Sequence, residues 1–319
     1  MSHIYIYSPS GAVRDKAAFK RGVKRLQTLG HEVEVDADAL SSYQRFAGDD
    51  ETRLTAIHRA AASGADLAMI SRGGYGLSRL LPSINYKAVA KAIDKGTNFI
   101  GFSDFTAFQM ALFAKTGAVT WAGPAICDDF GVGLASKEAD GHGDIAAAVH
   151  DALPDDIMEA CFDDLLCGQG EGSGWRQHKD ATTVRDFHLK DAVLWGGNLA
   201  VFNALLATPY VPSVKGGVLF LEDVGEHPYR IERLLIQLLQ AGVLAQQKAV
   251  VLGQFGNYKL VQHDRGYKFQ TVIDWLRSQL KIPVLTNLPF GHVPTKVCLP
   301  FGRKVDLVVQ GRDALIIWG

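Results

Sequence analysis

The sequence predicts an α/β protein, with a mostly parallel sheet in its first half and a β-rich second half that carries its own helices. Three observations lead there. Short apolar runs alternate with amphipathic stretches of helical period through about residue 125. Turns rich in glycine and serine follow several of those runs. Beyond about residue 190 the pattern becomes short strands grouped around one strong helix. Strands alternating with helices imply a parallel sheet covered on both faces. A length of 319 residues suggests about two domains. The expected division is an α/β domain over 1–135, linker and peripheral structure over 136–170, and a β-rich domain over 171–319.

The elements follow in order. HIYIYSPSG reads as a strand running into a turn. AAFKRGVKRLQTLG reads as a helix stopped by Gly30, and a strand follows at 32–35. The scheme repeats with a helix over about 52–63, a strand at 67–70 and the turn RGGYG. It repeats again with a helix over 86–94, a strand at 98–101 and the turn GFSD. DFTAFQMALFAKTG is the next helix, with Gly117 as its stop and a further strand behind it. Residues 131–192 are richer in Gly, Asp and Glu and weaker in period. Short strands then fall at VLWGG and GVLFLED. Pro228 opens a helix whose apolar face is Ile231, Leu234, Leu235 and Leu238, ended by Gly242. AVVLGQF is a buried strand, FQTVIDWLRSQL a helix, and the tail from VPTKVCLPFG onward is β-rich.

Composition excludes several classes. Hydrophobic residues are 47% and charged residues 21%, as in ordinary globular domains rather than disordered or fibrous chains. Lys and Arg number 33 against 34 Asp and Glu, with no long run of one sign, so no nucleic-acid partner is expected. Cys127, Cys161, Cys167 and Cys298 show neither metal spacing nor a disulfide framework, and read as reduced thiols. No apolar run reaches the length of a membrane span, and the first residues lack the pattern of a signal peptide. No membrane partner and a cytoplasmic location are therefore expected. G-x-G-x-x-G, the Walker pattern and H-E-x-x-H are all absent, so neither a nucleotide cofactor nor a metal is expected.

Three turns at strand ends could meet at one sheet edge: Ser8–Gly11, Arg72–Gly76 and Gly101–Asp104. Ser103 stands between a strand and a helix N-terminus. There a hydroxyl either caps the helix or acts as a nucleophile whose oxyanion meets backbone amides. A serine nucleophile needs a base, and the base needs an orienting partner. His292, after a glycine in the otherwise apolar LPFGHV, is the best-placed histidine; His227 and His263 lie in polar stretches. Glu222 ends a five-residue apolar run, so a purpose for its carboxylate is required there more than at Glu226. The glycines of RGGYG suit half an oxyanion hole, a phosphate nest or a plain turn. GGN at 196–198 is a weaker version of the same.

SPSG, RGGYG, GFSDFTAFQ, LWGGNLA, LFLEDVGEHPYRIERLLIQLLQAG and LPFGH occur in an order and at spacings that resemble the L,D-carboxypeptidase family, from about residue 3 to 310. The resemblance implies a flavodoxin-like N-terminal domain, a C-terminal β-rich α+β domain, and a metal-independent serine peptidase with a Ser-Glu-His triad. Carried over block by block, it implies Ser103 as nucleophile, Glu222 as orienting carboxylate and His292 as base. The amides of Gly74 and Asp104 would form the oxyanion hole. It further implies release of the terminal D-alanine from L-Ala-γ-D-Glu-meso-diaminopimelate-D-Ala in peptidoglycan recycling, free or muropeptide-linked, by a homodimer. Arg72 and Arg230 are candidates for the substrate's terminal carboxylate or for structural ion pairs, and Asn198 is a further candidate for substrate binding. Two other readings stand beside this one. The family also holds self-immunity proteins that cleave peptidyl or aminoacyl sulfamoyl-adenylates, for which Trp175 could stack on adenine. A non-catalytic small-ligand-binding module on the same fold is the third.

Overall fold

The computed structural model describes residues 1–133, 153–179 and 185–319. Two sheets organise the chain. The first half builds β1 (His3–Tyr7), α1 (Lys16–Thr28), β2 (Glu32–Val35), α2 (Asp50–Ala62) and β3 (Leu67–Ile70). It continues with α3 (Leu77–Leu80), α4 (Tyr86–Asp94), β4 (Asn98–Gly101), α5 (Phe105–Thr116) and β5 (Thr120–Ala122). The helices start where side chains cap them. Asp15 accepts from the amides of Ala17 and Ala18, Asp49 from Thr52, and Asn85 from Ala88. Gly117 ends α5 at φ 72°, a left-handed cap open to glycine at little strain.

Strands β2, β1, β3, β4 and β5 lie side by side and parallel, which is the flavodoxin-like order. Strands β3 and β4 are buried over their apolar runs, and α5 is buried over Phe105–Leu112, so the middle of this sheet is the core of the first half. In such a sheet the strand order reverses between β1 and β3, and ligands bind beyond the carboxyl ends there.

The second half adds α6 (Asp156–Cys167), β6 (Gly172–Arg176), β7 (Phe187–Asn198), α7 (Leu199–Leu205), β8 (Val218–Val224) and α8 (Pro228–Gln240). It closes with β9 (Ala249–Gly256), α9 (Phe269–Gln279), β10 (Val284–Leu285), β11 (Leu299–Phe301), β12 (Lys304–Gln310) and β13 (Asp313–Ile317). Seven of these strands form the second sheet in the order β10-β9-β8-β7-β12-β13-β6. Its β7–β10 part is parallel and the rest antiparallel.

One feature was not expected from the sequence. β11 leaves the second sheet and pairs antiparallel with β5 on the edge of the first, Pro300 opposite Trp121. The chain just after His292 is thereby stitched to the first sheet. Of the stretch expected as linker and peripheral structure, 136–170, residues 136–152 lie outside the described residues, and the rest contains the helix α6, which buries Met158, Phe162 and Leu165 on one face. That spacing of four and three is helical; acidic residues between the apolar ones mask it. Among the described residues no helix is long and apolar enough to cross a membrane.

Candidate active site

The nucleophile candidate is positioned by backbone. β4 is buried to its end, and Gly101 lets it stop close against its neighbours. A Cβ there would lie 2.7 Å from Ile70 and 2.9 Å from the Phe105 ring. The chain then turns sharply into α5 through Ser103, which adopts φ 61°. A non-glycine residue in that region is strained, and such strain collects at functional turns. Ser103 does not cap α5: the N-cap position is Asp104, and no side-chain cap bond forms there. Of the two readings open for Ser103, the cap reading therefore loses its bond.

The three strand-end turns meet as expected, with Asp104 as their tie. Its buried carboxyl accepts from Ser10 Oγ at 2.8 Å and from the Leu77 amide at 2.9 Å. Burial pushes its pKa up, while those bonds and nearby Arg53 oppose the rise. Arg53 is itself fully buried, donates to the Pro9 carbonyl at 3.1 Å and packs over Phe46. The Gly11 amide donates to the Gly73 carbonyl at 3.2 Å. A Cβ on Gly73 would stand 2.7 Å from Ser103 Cβ and 2.8 Å from its Oγ, so only glycine fits beside the hydroxyl. Gly74 has φ 114° and lies against Gly11. Among the described residues, neither the Gly74 nor the Asp104 amide donates to a protein acceptor. Two free N–H groups flanking a strained serine are what an oxyanion needs.

The base candidate is positioned by side chains. Glu222, fully buried in β8, accepts from His292 Nδ1 at 2.9 Å and from Asn198 Nδ2 at 3.1 Å. A carboxylate only accepts, so Nδ1 carries the proton and Nε2 keeps its lone pair. Gly291 makes the approach possible: at φ 137°, its Cβ would lie 3.2 Å from Glu222 Oε2. Burial lowers the His292 pKa, but the charge and hydrogen bond of Glu222 outweigh it, and the net shift is upward from 6.5. The imidazole meets the ring of Phe102, the residue before Ser103, at 4.9 Å between centroids. No hydrogen bond joins Ser103 to His292 among the described residues; the imidazole touches the residue before the serine instead. Such bonds often close only with substrate.

Asn198, expected at the substrate, has its side chain committed inside the protein. Its Nδ2 bridges Glu222 and Asp223, its Oδ1 caps α7 at the Val201 amide, and its own amide donates to Thr106 Oγ1 at 3.0 Å. Its side-chain amino group is thereby tied to Glu222 and Asp223 inside the protein. Asp223 also accepts from the amides of Val224 and Ala200; burial and then the adjacent Glu222 push its pKa up to about 6. Of the two arginine candidates, Arg230 is half-exposed and ion-paired with Glu226 at the start of α8. Arg72 donates one nitrogen to the Ala12 carbonyl and lines an open cavity with Arg14, Arg21 and Asp128. Trp175 is buried in β6 and donates to the Thr286 carbonyl at 2.9 Å, so it offers no free face to a base. Cys298 is buried as expected and Cys127 is partly so; all four cysteines are free thiols. Sequence reasoning missed the carboxyl of Asp104, Arg53, and a buried Lys296–Asp129 pair beside His292; none carries a local motif.

Comparison with known proteins identifies the family. Residues 4–123 match the family model described as LD-carboxypeptidase N-terminal domain, and 191–307 match the LD-carboxypeptidase C-terminal domain. The crystal structure of muramoyltetrapeptide carboxypeptidase from Oxalobacter formigenes superposes with a TM-score of 0.82 at 37% identity, covering 98% of this chain and 97% of that one. The murein tetrapeptide carboxypeptidase of Pseudomonas aeruginosa is 26% identical over 95% of this chain and 92% of its own length. The microcin C7 self immunity protein MccF, solved with aspartyl sulfamoyl adenosine, shares the fold at a TM-score of 0.79 and 22% identity, covering 99% of this chain and 95% of that one.

Proposed function

The chain belongs to the LD-carboxypeptidase family and is a serine carboxypeptidase, and from that premise we propose that it releases the terminal D-alanine of murein tetrapeptides, with Ser103, His292 and Glu222 as its triad. The observation that carries the assignment of residues is the buried Glu222–His292 bond, seated against the Phe102–Ser103 turn. The substrate class follows from the murein peptidases among its relatives, one of them 37% identical along nearly the whole chain.

The steps balance as follows. His292 Nε2 takes the Ser103 proton as Oγ attacks the carbonyl that links diaminopimelate to D-alanine. Glu222 holds the tautomer and stabilises the imidazolium. The amides of Gly74 and Asp104 hold the oxyanion; one such donor is typically worth about 100- to 1000-fold in rate. Collapse breaks the C–N bond, His292 protonates the departing D-alanine, and water then releases the acyl group. Ser103 follows a strand of the first sheet and Glu222 lies in a strand of the second, so turnover requires both halves docked. The role we propose is peptidoglycan recycling in the cytoplasm, with a murein peptide as the only partner besides a second copy of the chain. Arg72, facing its open cavity, is the better of the two candidates for the terminal carboxylate.

The sulfamoyl-adenylate reading has less support. The aromatic that would serve it, Trp175, is packed and hydrogen-bonded, and the likeness to MccF extends to the fold alone. The test is release of free D-alanine from L-Ala-γ-D-Glu-meso-diaminopimelate-D-Ala in excess EDTA, for wild type and Ser103→Ala together. Release by wild type alone supports the proposal. Equal release by both proteins removes Ser103, and release by neither removes the substrate.

A further inference from the structure

Behind the His292 ring lies a pair of charges with no part in the steps above. Lys296 and Asp129 are both buried, and Lys296 Nζ meets Asp129 Oδ1 at 2.7 Å. The partners are 167 residues apart: Lys296 belongs to the loop that carries His292, and Asp129 to the turn after β5. Asp129 is anchored by its other oxygen, which accepts from the Ala125 amide at 2.8 Å. The ammonium also sits 3.5 Å over the centre of the Phe102 ring, whose other contact is the imidazole itself. Lys296, Phe102 and His292 thus touch in series, the ammonium over the face of Phe102 and the two rings edge to face, and all three line a cavity of about 250 Å³.

A buried ion pair is a poor source of stability, because desolvation of both charges offsets most of their attraction. Apolar residues of the same volume would hold this seam at least as well. What apolar residues cannot supply is a fixed positive charge near the imidazole. The two ring contacts, end to end, keep the ammonium within ~8 Å of the imidazole centre, close enough at the effective dielectric of a protein to move a titration by about one pH unit.

We propose that Lys296 and Asp129 are positioning residues for the His292 base, bracing its ring through Phe102 and trimming its proton affinity by their balance of charge. The inference rests on His292 being the general base. Charged groups face the imidazole from every side: Glu222 from β8, Lys296 from its own loop, Asp128 and Asp129 from the turn after β5, and Asp155 from the start of α6. Glu222 and Asp128 favour the protonated ring, and Lys296 opposes it. Asp155 is occupied as the cap of α6 and by Thr295 Oγ1. Removing Lys296 therefore raises the His292 midpoint, while removing Asp129 leaves the ammonium unbalanced and lowers it. A merely structural pair would not produce opposite signs.

The experiment is an NMR titration of the His292 imidazole in the full chain, assigned by the peak lost in His292→Gln. Lys296→Met is expected to raise the midpoint by about one unit and Asp129→Asn to lower it by a similar amount, with Lys296→Arg close to wild type. The acid limb of kcat/KM for D-alanine release should move with each midpoint. If one of these variants does not fold, Lys296→Gln or Asp129→Ala replaces it, with the same sign of shift expected. Midpoints unmoved, or moved in the same direction by both single variants, would overturn the inference. Because the titration needs no turnover, a wild type that releases no D-alanine would refute the proposed substrate and leave this test intact.

Discussion

Ser103 and His292 are linked through Phe102, where the two halves of the chain meet, and they are held in unlike ways. Around Ser103 most restraints are main chain. They are its own φ of 61°, the Gly11–Gly73 bond, a glycine close against the hydroxyl, and two amides with no protein acceptor among the described residues. The one side chain that matters, Asp104, acts by tying two of the turns together. Around His292 the restraints are side chains in series. Asn198 fixes Glu222, Glu222 fixes Nδ1, and Phe102 backs the ring. A site wall made of backbone leaves no room for an added atom. One made of side chains tolerates shape changes but fails when a single hydrogen bond is lost. Substitutions on each side should therefore fail in different ways.

The largest effect is expected from Ser103→Ala, which removes one oxygen and leaves the turn intact. D-alanine release should fall by roughly 10⁴- to 10⁶-fold with little change in Tm. Next comes Glu222→Gln, which keeps volume but favours the wrong tautomer; kcat should fall by about 10⁴-fold with KM nearly unchanged. Gly73→Ala tests the other wall. A single methyl placed against Ser103 should lower kcat/KM by about 100-fold, since displacement of about 1 Å at a reacting group has that effect. If Gly73→Ala were silent, the backbone account of the nucleophile would be wrong. Asn198→Ala should be milder in rate, about tenfold. It should lower stability by about 1–2 kcal/mol in denaturant unfolding, because it removes a helix cap and a buried bond to Glu222.

The smallest effect is in pH. With the folded His292 pKa raised above 6.5, the free enzyme needs a neutral imidazole, so kcat/KM should decline on the acid side with an apparent pKa above 6.5. The stability contribution runs the other way. The Glu222–His292⁺ pair stabilises the fold fully below 6.5, and this is lost as pH rises through the folded pKa. The Tm gap between wild type and His292→Ala should therefore be wider at acid than at alkaline pH.

The wall made of backbone was the more legible in sequence. RGGYG and GFSD announce turns because glycine and a strand-to-helix serine answer local demands of the chain, and Ser8–Gly11, Arg72–Gly76 and Gly101–Asp104 do converge. Helix and strand positions in the first half were legible for the same reason; 86–94 and 98–101 match residue for residue. Glu222 could be suspected, since an acid ending a buried run needs a partner. What supports it could not. Asn198 reads as another glycine-turn residue until the parallel register of β7 and β8 places it opposite Glu222. The Lys296–Asp129 pair depends on two segments meeting in space, and neither segment carries a pattern. β11 looks like more of the β-rich tail, and only its pairing with β5 reveals that it ties the His292 loop to the first sheet.

A single serine on a strained turn, activated by a histidine held by Glu222 of the second sheet, is what the proposed mechanism requires. A fluorophosphonate probe with peptide mapping by mass spectrometry tests it most directly, on wild type, His292→Ala and Glu222→Gln. The account predicts one adduct, on Ser103, fast in wild type and strongly slowed in both variants. An adduct on another residue, or labelling of Ser103 at the same rate in all three proteins, would contradict it.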